Sequence, residues 1–274
     1  LDTDSGSLDN RSGLIQSGGA AALDAHGGLF DNRAAAGMQA GGRVIGRGVA
    51  LTTGALENSA GLISASDTTH VSAQSVANEN GAILSHQTLK LESVGALSNV
   101  AGQIGGEADV MLKGTTVDNT RGAVHAGQAL VVTGDEIVNT QTKEATPATE
   151  SDMPLLQAGM EGANVSLTAT THIDNTAGSI RSDREAILVT PVVVNTDGAI
   201  TSAKRVSIAA DATVKNTRGE INGGQRVDLS AAVLSNDGRI ESRGDVSANV
   251  RGDLTNIGAI IAGHNLDVTT QGNV

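Results

Sequence analysis

One side chain recurs through this sequence with a spacing that leaves few folds open to it. Asparagine returns every 20 or 21 residues over most of the chain, with longer gaps of 22, 26 and 36 residues, at Asn10, Asn32, Asn58, Asn78, Asn99, Asn119, Asn139, Asn175, Asn195, Asn216, Asn236 and Asn256. Two positions before each asparagine stands a large apolar residue, namely Leu8, Phe30, Leu56, Val76, Leu97, Val117, Ile137, Ile173, Val193, Val214, Leu234 and Leu254. A fixed period of this length indicates a repeat protein.

Two further apolar positions complete the repeat unit. In ten units a glycine follows the asparagine after two or three residues, and Ile or Val stands two places beyond it, as in Gly122 and Val124. An alternating apolar pair precedes the next asparagine, as Leu130 and Val132 do before Asn139. Period-two alternation over about four residues is typical of a β-strand and too short for an amphipathic helix. Each unit therefore predicts three short strands.

A three-strand unit of about 20 residues cannot bury its own apolar face, but a stack of such units can. The predicted fold class is all-β, a right-handed parallel β-helix in which successive coils pair at about 4.8 Å. The repeated Ile, Val and Leu side chains then line a narrow lumen. We expect a single β-helix over residues 1–274, with roughly 12–13 coils, as a fragment of a longer protein.

The twelve asparagines are predicted to form a structural ladder at one corner of the stack. Stacked asparagine side chains can bond to the amides above and below them, as they do in cross-β ladders. Glycine takes positive φ without penalty, and asparagine is among the few other residues that tolerate it. We therefore expect each asparagine and its glycine to supply the backbone freedom that a sharp corner needs.

Composition and charge exclude several classes of function. Phe30 is the single aromatic residue, so the chain lacks platforms on which single-stranded nucleic acid could stack. The formal net charge of −12 disfavours binding to nucleic acid or to anionic lipid. The sequence has no cysteine and no apolar run of about 18 residues. We expect no nucleic-acid partner and no membrane insertion.

No arrangement of residues predicts catalysis or metal binding. The six histidines occupy different phases of the repeat: His26, His70, His86, His125, His172 and His264. The Gly-Gly-x-Gly-x-Asp repeat of calcium-binding β-rolls is absent, and so are the Gly-x-Ser-x-Gly elbow, His-Glu-x-x-His and the phosphate-binding loop. The sequence therefore predicts no catalytic residue, no metal, no cofactor and no enzyme activity.

Three segments resemble a known family. Residues 8–15 read Leu-Asp-Asn-Arg-Ser-Gly-Leu-Ile, residues 117–124 read Val-Asp-Asn-Thr-Arg-Gly-Ala-Val, and residues 173–180 read Ile-Asp-Asn-Thr-Ala-Gly-Ser-Ile. They resemble filamentous haemagglutinin repeats, which build the shafts of Gram-negative two-partner-secretion exoproteins, both adhesins and contact-dependent inhibition toxins. The resemblance extends over essentially the whole chain. It implies a secreted or outer-surface location and an outer-membrane transporter as partner.

Two stretches depart from the period. The 36-residue gap between Asn139 and Asn175 holds about 16 extra residues, and most of them lie in an insertion near residues 141–154 that includes Pro147 and Pro154. We interpret this insertion as a loop at one corner, either passive or used for recognition. A smaller excess near Gly41 to Gly48 is expected to be a bulged turn.

Two Arg-Gly-Asp triplets are weak candidates for binding residues: Arg243, Gly244 and Asp245, and Arg251, Gly252 and Asp253. The motif suggests integrin recognition. Each triplet also falls where this repeat normally turns, so a structural role as a tight corner is the stronger explanation and needs no receptor. A corner held between neighbouring coils would keep the triplet flush with the surface.

Three functions fit these observations to different degrees. The first is the structural shaft of a secreted or surface-exposed adhesin, with the shaft of a contact-dependent growth inhibition toxin as its variant. The second is a module that binds a host receptor or glycan through the 141–154 loop. The third, a polysaccharide-active β-helix enzyme, is disfavoured because such enzymes gather carboxylates in a groove built from several long loops. The partners to expect are a transporter and a host-cell receptor, a glycan or a target bacterium.

Overall fold

The computed structural model describes residues 1–3, 6–147 and 156–274, and among them it contains 27 β-strands and no helix. The strands in chain order are β1 (Leu8–Asp9), β2 (Leu14–Gln16), β3 (Ala20–Asp24), β4 (Leu29–Asp31), β5 (Arg43–Gly46), β6 (Gly48–Glu57), β7 (Leu62–Ala65), β8 (Thr69–Ala77), β9 (Ala82–Ser85), β10 (Leu89–Ser93), β11 (Leu97–Ser98), β12 (Gln103–Gly106), β13 (Val110–Lys113), β14 (Thr116–Asp118), β15 (Ala123–Val138), β16 (Gly159–Asp174), β17 (Ser179–Val194), β18 (Ala199–Ser202), β19 (Arg205–Asn216), β20 (Glu220–Gly223), β21 (Arg226–Ala231), β22 (Val233–Asn236), β23 (Arg239–Ser242), β24 (Asp245–Val250), β25 (Leu254–Asn256), β26 (Ala259–Ala262) and β27 (Leu266–Thr270).

The strands form three faces that run the length of the stack, and each face is a sheet of parallel strands. The first face holds the strand that follows each asparagine, the second face holds the next strand, and the third face holds the strand that leads into the next asparagine. On the first face, for example, β7 pairs with β9 and β9 pairs with β12, always in parallel. The second face pairs β10 with β13, and the third face pairs β11 with β14.

The register places equivalent apolar side chains directly over one another. On the third face Leu97 pairs with Val117, and Val117 pairs with Ile137. All three side chains are fully buried. On the first face Ile83 pairs with Ile104 in the same way. The predicted parallel β-solenoid of about 20-residue coils, with about 13 turns, is confirmed. The right-handed sense of the β-helix, which is expected from the handedness of parallel crossover connections, stays a prediction.

The three predicted strands of a coil are not always separate. In β15, β16 and β17 the segments join into strands of 16 residues that pass around all three faces. They bend where the pairing register shifts, as between Ala126 and Ala129 and between Gly134 and Glu136. At the bends of β15 the backbone still bonds to the preceding coil, from Gln128 N to the carbonyl oxygen of Ala108 and from Asp135 N to that of Thr115.

The extra residues of the third coil lie elsewhere than expected. Residues 43–46 and 48–57 form β5 and β6, so the predicted bulged turn near Gly41 to Gly48 is wrong for most of that range. The extra residues instead precede Gly42, whose carbonyl accepts a hydrogen bond from Asn32 Nδ2 at 2.9 Å. This is the bond that the corner glycine makes in other coils. Both departures from the period therefore leave the stack at the corner that follows the asparagine.

Candidate functional site

The repeated asparagines form a continuous row of side-chain hydrogen bonds. Each Nδ2 donates to Oδ1 of the asparagine in the next coil at 2.7–2.8 Å, and the eleven bonds link all twelve residues from Asn10 to Asn256. Eleven of the side chains, all except that of Asn256, are buried. Every bond points the same way, with the donor on the N-terminal side. We call this row the asparagine ladder.

Asn119 shows how completely each member of the asparagine ladder is satisfied. Its Oδ1 accepts from Asn99 Nδ2 at 2.7 Å, and its own Nδ2 donates to Asn139 Oδ1 at 2.8 Å. The same amide group also donates to the carbonyl oxygens of Gly122 and Gly159, at 3.1 and 3.2 Å. A buried amide left without partners would cost about 1–3 kcal/mol. The ladder therefore stabilises the contact between successive coils.

The corner glycines have a different role from the one expected. Positive φ occurs at the residue two places after the asparagine, as at Ala101 with φ 52° and Arg121 with φ 56°, and the glycine that follows is not in that region. At Gly122 a Cβ would lie 2.2 Å from the carbonyl oxygen of Asn99 and 2.5 Å from Asn119 Oδ1. The expectation of left-handed backbone at asparagine and glycine is thus wrong. Glycine is required because the preceding coil approaches too closely for any side chain.

Both Arg-Gly-Asp triplets lie in tight turns, and their carboxylates are engaged by the next coil. Asp245 Oδ1 accepts from the backbone N of Asn265 at 3.1 Å and from its Nδ2 at 3.0 Å. Asp253 Oδ1 accepts from the backbone N and Nδ2 of Asn273, at 2.8 and 3.2 Å. Arg251 donates to the carbonyl oxygen of Asp211 at 2.8 Å. These contacts favour structural corners, and receptor binding by either triplet stays a prediction.

The insertion near residues 141–154 is held against the stack at both of its described ends. Residues 148–155, which include Pro154, lie outside the described residues. On the outgoing side, Lys143 N donates to the carbonyl oxygen of Ala177 at 3.0 Å, and Thr142 Oγ1 accepts from Ser179 N at 2.9 Å. On the returning side, Leu156 N donates to Oε1 of Gln103 at 3.0 Å. The two arms thus contact coils on opposite sides of the corner.

Arginine and carboxylate pairs lie on the outer surface, some within one coil and some between neighbouring coils. Hydrogen bonds from Arg11 lower the pKa of the Asp9 carboxyl to about 2. Burial raises the pKa of Asp228, but hydrogen bonds from Arg226 and Arg205 outweigh it, and the net pKa is lowered. Arg205 belongs to the coil before Asp228, with Nε and Oδ2 2.8 Å apart. These pairs keep the carboxylates charged, and the pair of Arg205 with Asp228 also joins two neighbouring coils.

The histidines show a related pattern at longer distances. His86 Nδ1 lies 3.0 Å from Glu107 Oε1, and His70 Nε2 lies 3.5 Å from Glu92 Oε2, in each case on the neighbouring coil. Within the described ranges, no group of three or more His, Asp or Glu residues is arranged to hold a metal ion. The arrangement is that of surface pairs between coils.

Some contacts could not be read from the repeat. Gln103 occupies the position that Ala82 and Ala123 hold in the adjacent coils, and it is fully buried. Gly105 stands at an outward position of a strand, where the next coil has His125. The sequence signals that could have indicated this contact are a glutamine at a repeat position that faces the interior and a glycine at one that faces outward. Their partner, Leu156, lies 53 residues from Gln103 in the chain.

The stacked faces and the asparagine ladder define the protein as a parallel β-solenoid with a structural corner. The family sequence model of the haemagglutinin repeat matches residues 142–236 and 221–274. No curated protein and no solved structure matches the chain. This match and the β-solenoid fold support a filamentous haemagglutinin-like repeat shaft, and the resemblance seen in the sequence is confirmed. The coils before residue 142 continue the same ladder and the same apolar columns.

The haemagglutinin repeat β-helix is a structural, adhesin-type fold and not a known enzyme family. Haemagglutinin repeats generally mark secreted or surface-exposed bacterial proteins. Over the ranges that the structure describes, no helix has the length and apolar character needed to span a membrane.

Proposed function

We propose that this protein is the structural shaft of a large adhesin, secreted by a Gram-negative bacterium or displayed on its outer surface, that holds binding domains away from the cell. The observation that carries the proposal is the unbroken asparagine ladder, which runs through every coil from Asn10 to Asn256. About 13 turns at about 4.8 Å each give a rod on the order of 60 Å long. A longer row of such coils would extend the reach in proportion.

The same geometry supports a route of export. Because each coil pairs its strands with those of its neighbours, the chain can fold coil by coil as it leaves an outer-membrane transporter. Each docked coil buries apolar side chains such as Val117 and Ile137, and this burial opposes backward movement. The transporter is the partner implied by the family, and it is part of this proposal.

The export step can be tested with a charge placed in the lumen. In the full-length parent protein, Val117→Asp buries a carboxylate at a fully buried position and is expected to lower secretion strongly. Val131→Asp is the matched control, because Val131 points outward and is 38% exposed. Equal secretion of both variants, with both folded, would contradict coil-by-coil folding as the driving step.

A second experiment separates the adhesin from the toxin-delivery alternative. Cells that display the parent protein are tested for attachment to host cells and for growth inhibition of neighbouring bacteria. Attachment that is lost when the distal domains are removed supports the adhesin. Contact-dependent inhibition without attachment would assign the shaft to a toxin-delivery protein instead. Attachment that is lost when only residues 141–154 are replaced by a Gly-Ser linker would make the insertion itself the host receptor or glycan module.

A further inference from the structure

A groove runs along the outer surface of the first face in the N-terminal half of the stack. It crosses six coils and has a volume of about 700 Å³. Its floor is formed by Ile45, Ser64, Leu84 and Gly105, which pair with one another in successive coils and share the outward position. The volume falls within the range of about 300–1,000 Å³ that is typical of ligand pockets. We call this the first-face groove.

The structure contains one example of what the first-face groove accepts. The side chain of Leu156 lies over Gly105, where a Cβ would come within 2.8 Å of Leu156 Cδ1. The backbone N of Leu156 donates to Oε1 of the buried Gln103 at 3.0 Å. A segment from outside the coils is thus held by an aliphatic side chain on the floor, next to Leu84, and by a backbone hydrogen bond at the edge.

Polar groups line the side of the first-face groove. Arg47 is exposed in the turn after Gly46, and its guanidinium forms no ion pair with any residue that the structure describes. His86 and Glu107 pair with each other at 3.0 Å further along. The groove therefore presents the unpaired positive charge of Arg47 at the coil of Ile45. Towards Leu156 it presents the pair of His86 and Glu107.

We propose that the first-face groove binds an extended peptide segment that carries aliphatic side chains and a carboxylate directed at Arg47. The inference goes beyond the role of the protein as a shaft. The floor has no aromatic side chain on which a sugar ring could stack. An alkyl chain would cover Ser64 and Ser66 without giving their hydroxyl groups hydrogen-bond partners. A peptide backbone supplies those partners, and its carboxylate complements the charge of Arg47.

The spacing of the groove fixes the peptide pattern to test. Three coil steps separate the coil of Ile45 from that of Gly105, which amounts to about 14 Å. An extended peptide covers this distance in about four residues. The carboxylate of the ligand should therefore lie about three to five residues from its aliphatic side chains.

The experiment uses the intact chain and fluorescein-labelled, N-acetylated peptides that place a glutamate about three to five residues from a pair of leucines in a Ser/Thr background. Fluorescence polarisation is expected to show saturable binding. Ser64→Leu fills the floor of the groove and should weaken binding about tenfold or more. Thr201→Leu is the matched control, because Thr201 has the same outward position beyond the groove, and its affinity should be unchanged.

The charge contact has its own pair of variants. Arg47→Glu should weaken peptide binding about tenfold, and the difference from the unchanged chain should shrink at high salt. Arg184→Glu, an exposed arginine in the corresponding turn of a distant coil, should have no effect. The proposal is overturned if no peptide in the set saturates the chain, if Ser64→Leu binds equally well, or if maltohexaose or laurate binds in place of the peptides. Binding that requires replacement of residues 148–155 by a Gly-Ser linker would also overturn it, because the groove of the intact chain would then be closed to outside peptides.

Discussion

Asn119 donates a hydrogen bond through Nδ2 to Oδ1 of Asn139 in the next coil at 2.8 Å, and both side chains are fully buried. Because an amide accepts on one side and donates on the other, the same contact repeats in one direction along the stack. Hydrogen bonds in such rows polarise one another and strengthen the whole. The asparagine ladder therefore links the coils that the apolar columns hold together.

Removing one member of the ladder should destabilise the shaft measurably. Asn119→Ala leaves Asn139 Oδ1 without its donor and removes one of the acceptors of Asn99 Nδ2, at a cost of about 1–3 kcal/mol in the free energy of unfolding. Asn249→Ala, at an exposed position, should change it by less than about 0.5 kcal/mol. Urea unfolding followed by circular dichroism measures both. Equal stability of the two variants would argue against the ladder as a stabilising element.

The corner glycine and the residue before it should respond in opposite ways. Gly122→Ala places a Cβ against the carbonyl oxygen of Asn99 and should cost about 3 kcal/mol of stability. Arg121→Gly removes a side chain from a residue with φ 56°, so it should be neutral or stabilise by about 1 kcal/mol. Gly18→Ala is the control, since a Cβ there meets nothing within 4 Å. A tolerated Gly122→Ala would contradict the close approach of the coils.

A buried hydroxyl offers a stabilising substitution. Thr190 Oγ1 is buried and has no hydrogen-bond partner among the residues that the structure describes. Thr190→Val keeps the shape and removes the unsatisfied group, so it should raise the free energy of unfolding by about 1 kcal/mol. Thr53→Val is the opposite case, because Thr53 Oγ1 donates to the carbonyl oxygen of Gly28 at 2.8 Å, and it should destabilise. A loss of stability in Thr190→Val would indicate a partner for that hydroxyl.

Deleting one whole period should leave a folded, shorter shaft. Removal of residues 120–139 takes out one period of 20 residues and joins Asn119 to Thr140, which follows an asparagine just as Thr120 does. The apolar columns and the asparagine ladder then continue with one rung fewer. Removal of residues 120–129 instead leaves half a period between Asn119 and Asn139, which is too short to complete a coil. The coils on either side can then no longer stack in register, and the protein should be strongly destabilised. Circular dichroism and gel filtration distinguish the outcomes, and equal behaviour of the two deletions would contradict the stacking.

Acid should weaken the arginine–carboxylate pairs on the outer surface. The pKa of Asp31 is lowered by hydrogen bonds from Arg33, and that of Asp228 is lowered by Arg226 and Arg205 against the effect of burial. A carboxyl whose folded-state pKa lies below its unfolded value adds stability above the unfolded pKa and loses it as pH falls through the folded pKa. Stability should therefore hold from neutral pH to about pH 5 and fall below about pH 4. Urea unfolding across this range should show a smaller loss in Asp228→Asn than in the unchanged chain, and an identical loss would exclude this pair as a cause.

Much of the fold follows from the repeat, because residues that are one period apart in the sequence occupy equivalent positions in successive coils. Leu97, Val117 and Ile137 share a phase of the repeat, and in the structure they share a column. The corner was harder to predict. The pattern marks Asn119 and Gly122, but the left-handed residue is Arg121, which has no conformational preference of that kind. Its backbone is imposed by the hydrogen bonds on either side of it, from Gly122 N to Asn119 O and from Arg121 N to Thr140 O.

By itself, the sequence determined the coil length, the three strands of each coil and the columns of aliphatic side chains, because a fixed spacing brings equivalent residues into register once the coils stack. Only the tertiary structure decided why glycine follows the corner, which residue takes positive φ, and where Leu156 meets Gln103 and Gly105. These features depend on distances between residues of different coils. The sequence pattern shows which residue types recur at each position of the repeat. The distance between neighbouring coils decides how large a side chain each position can hold.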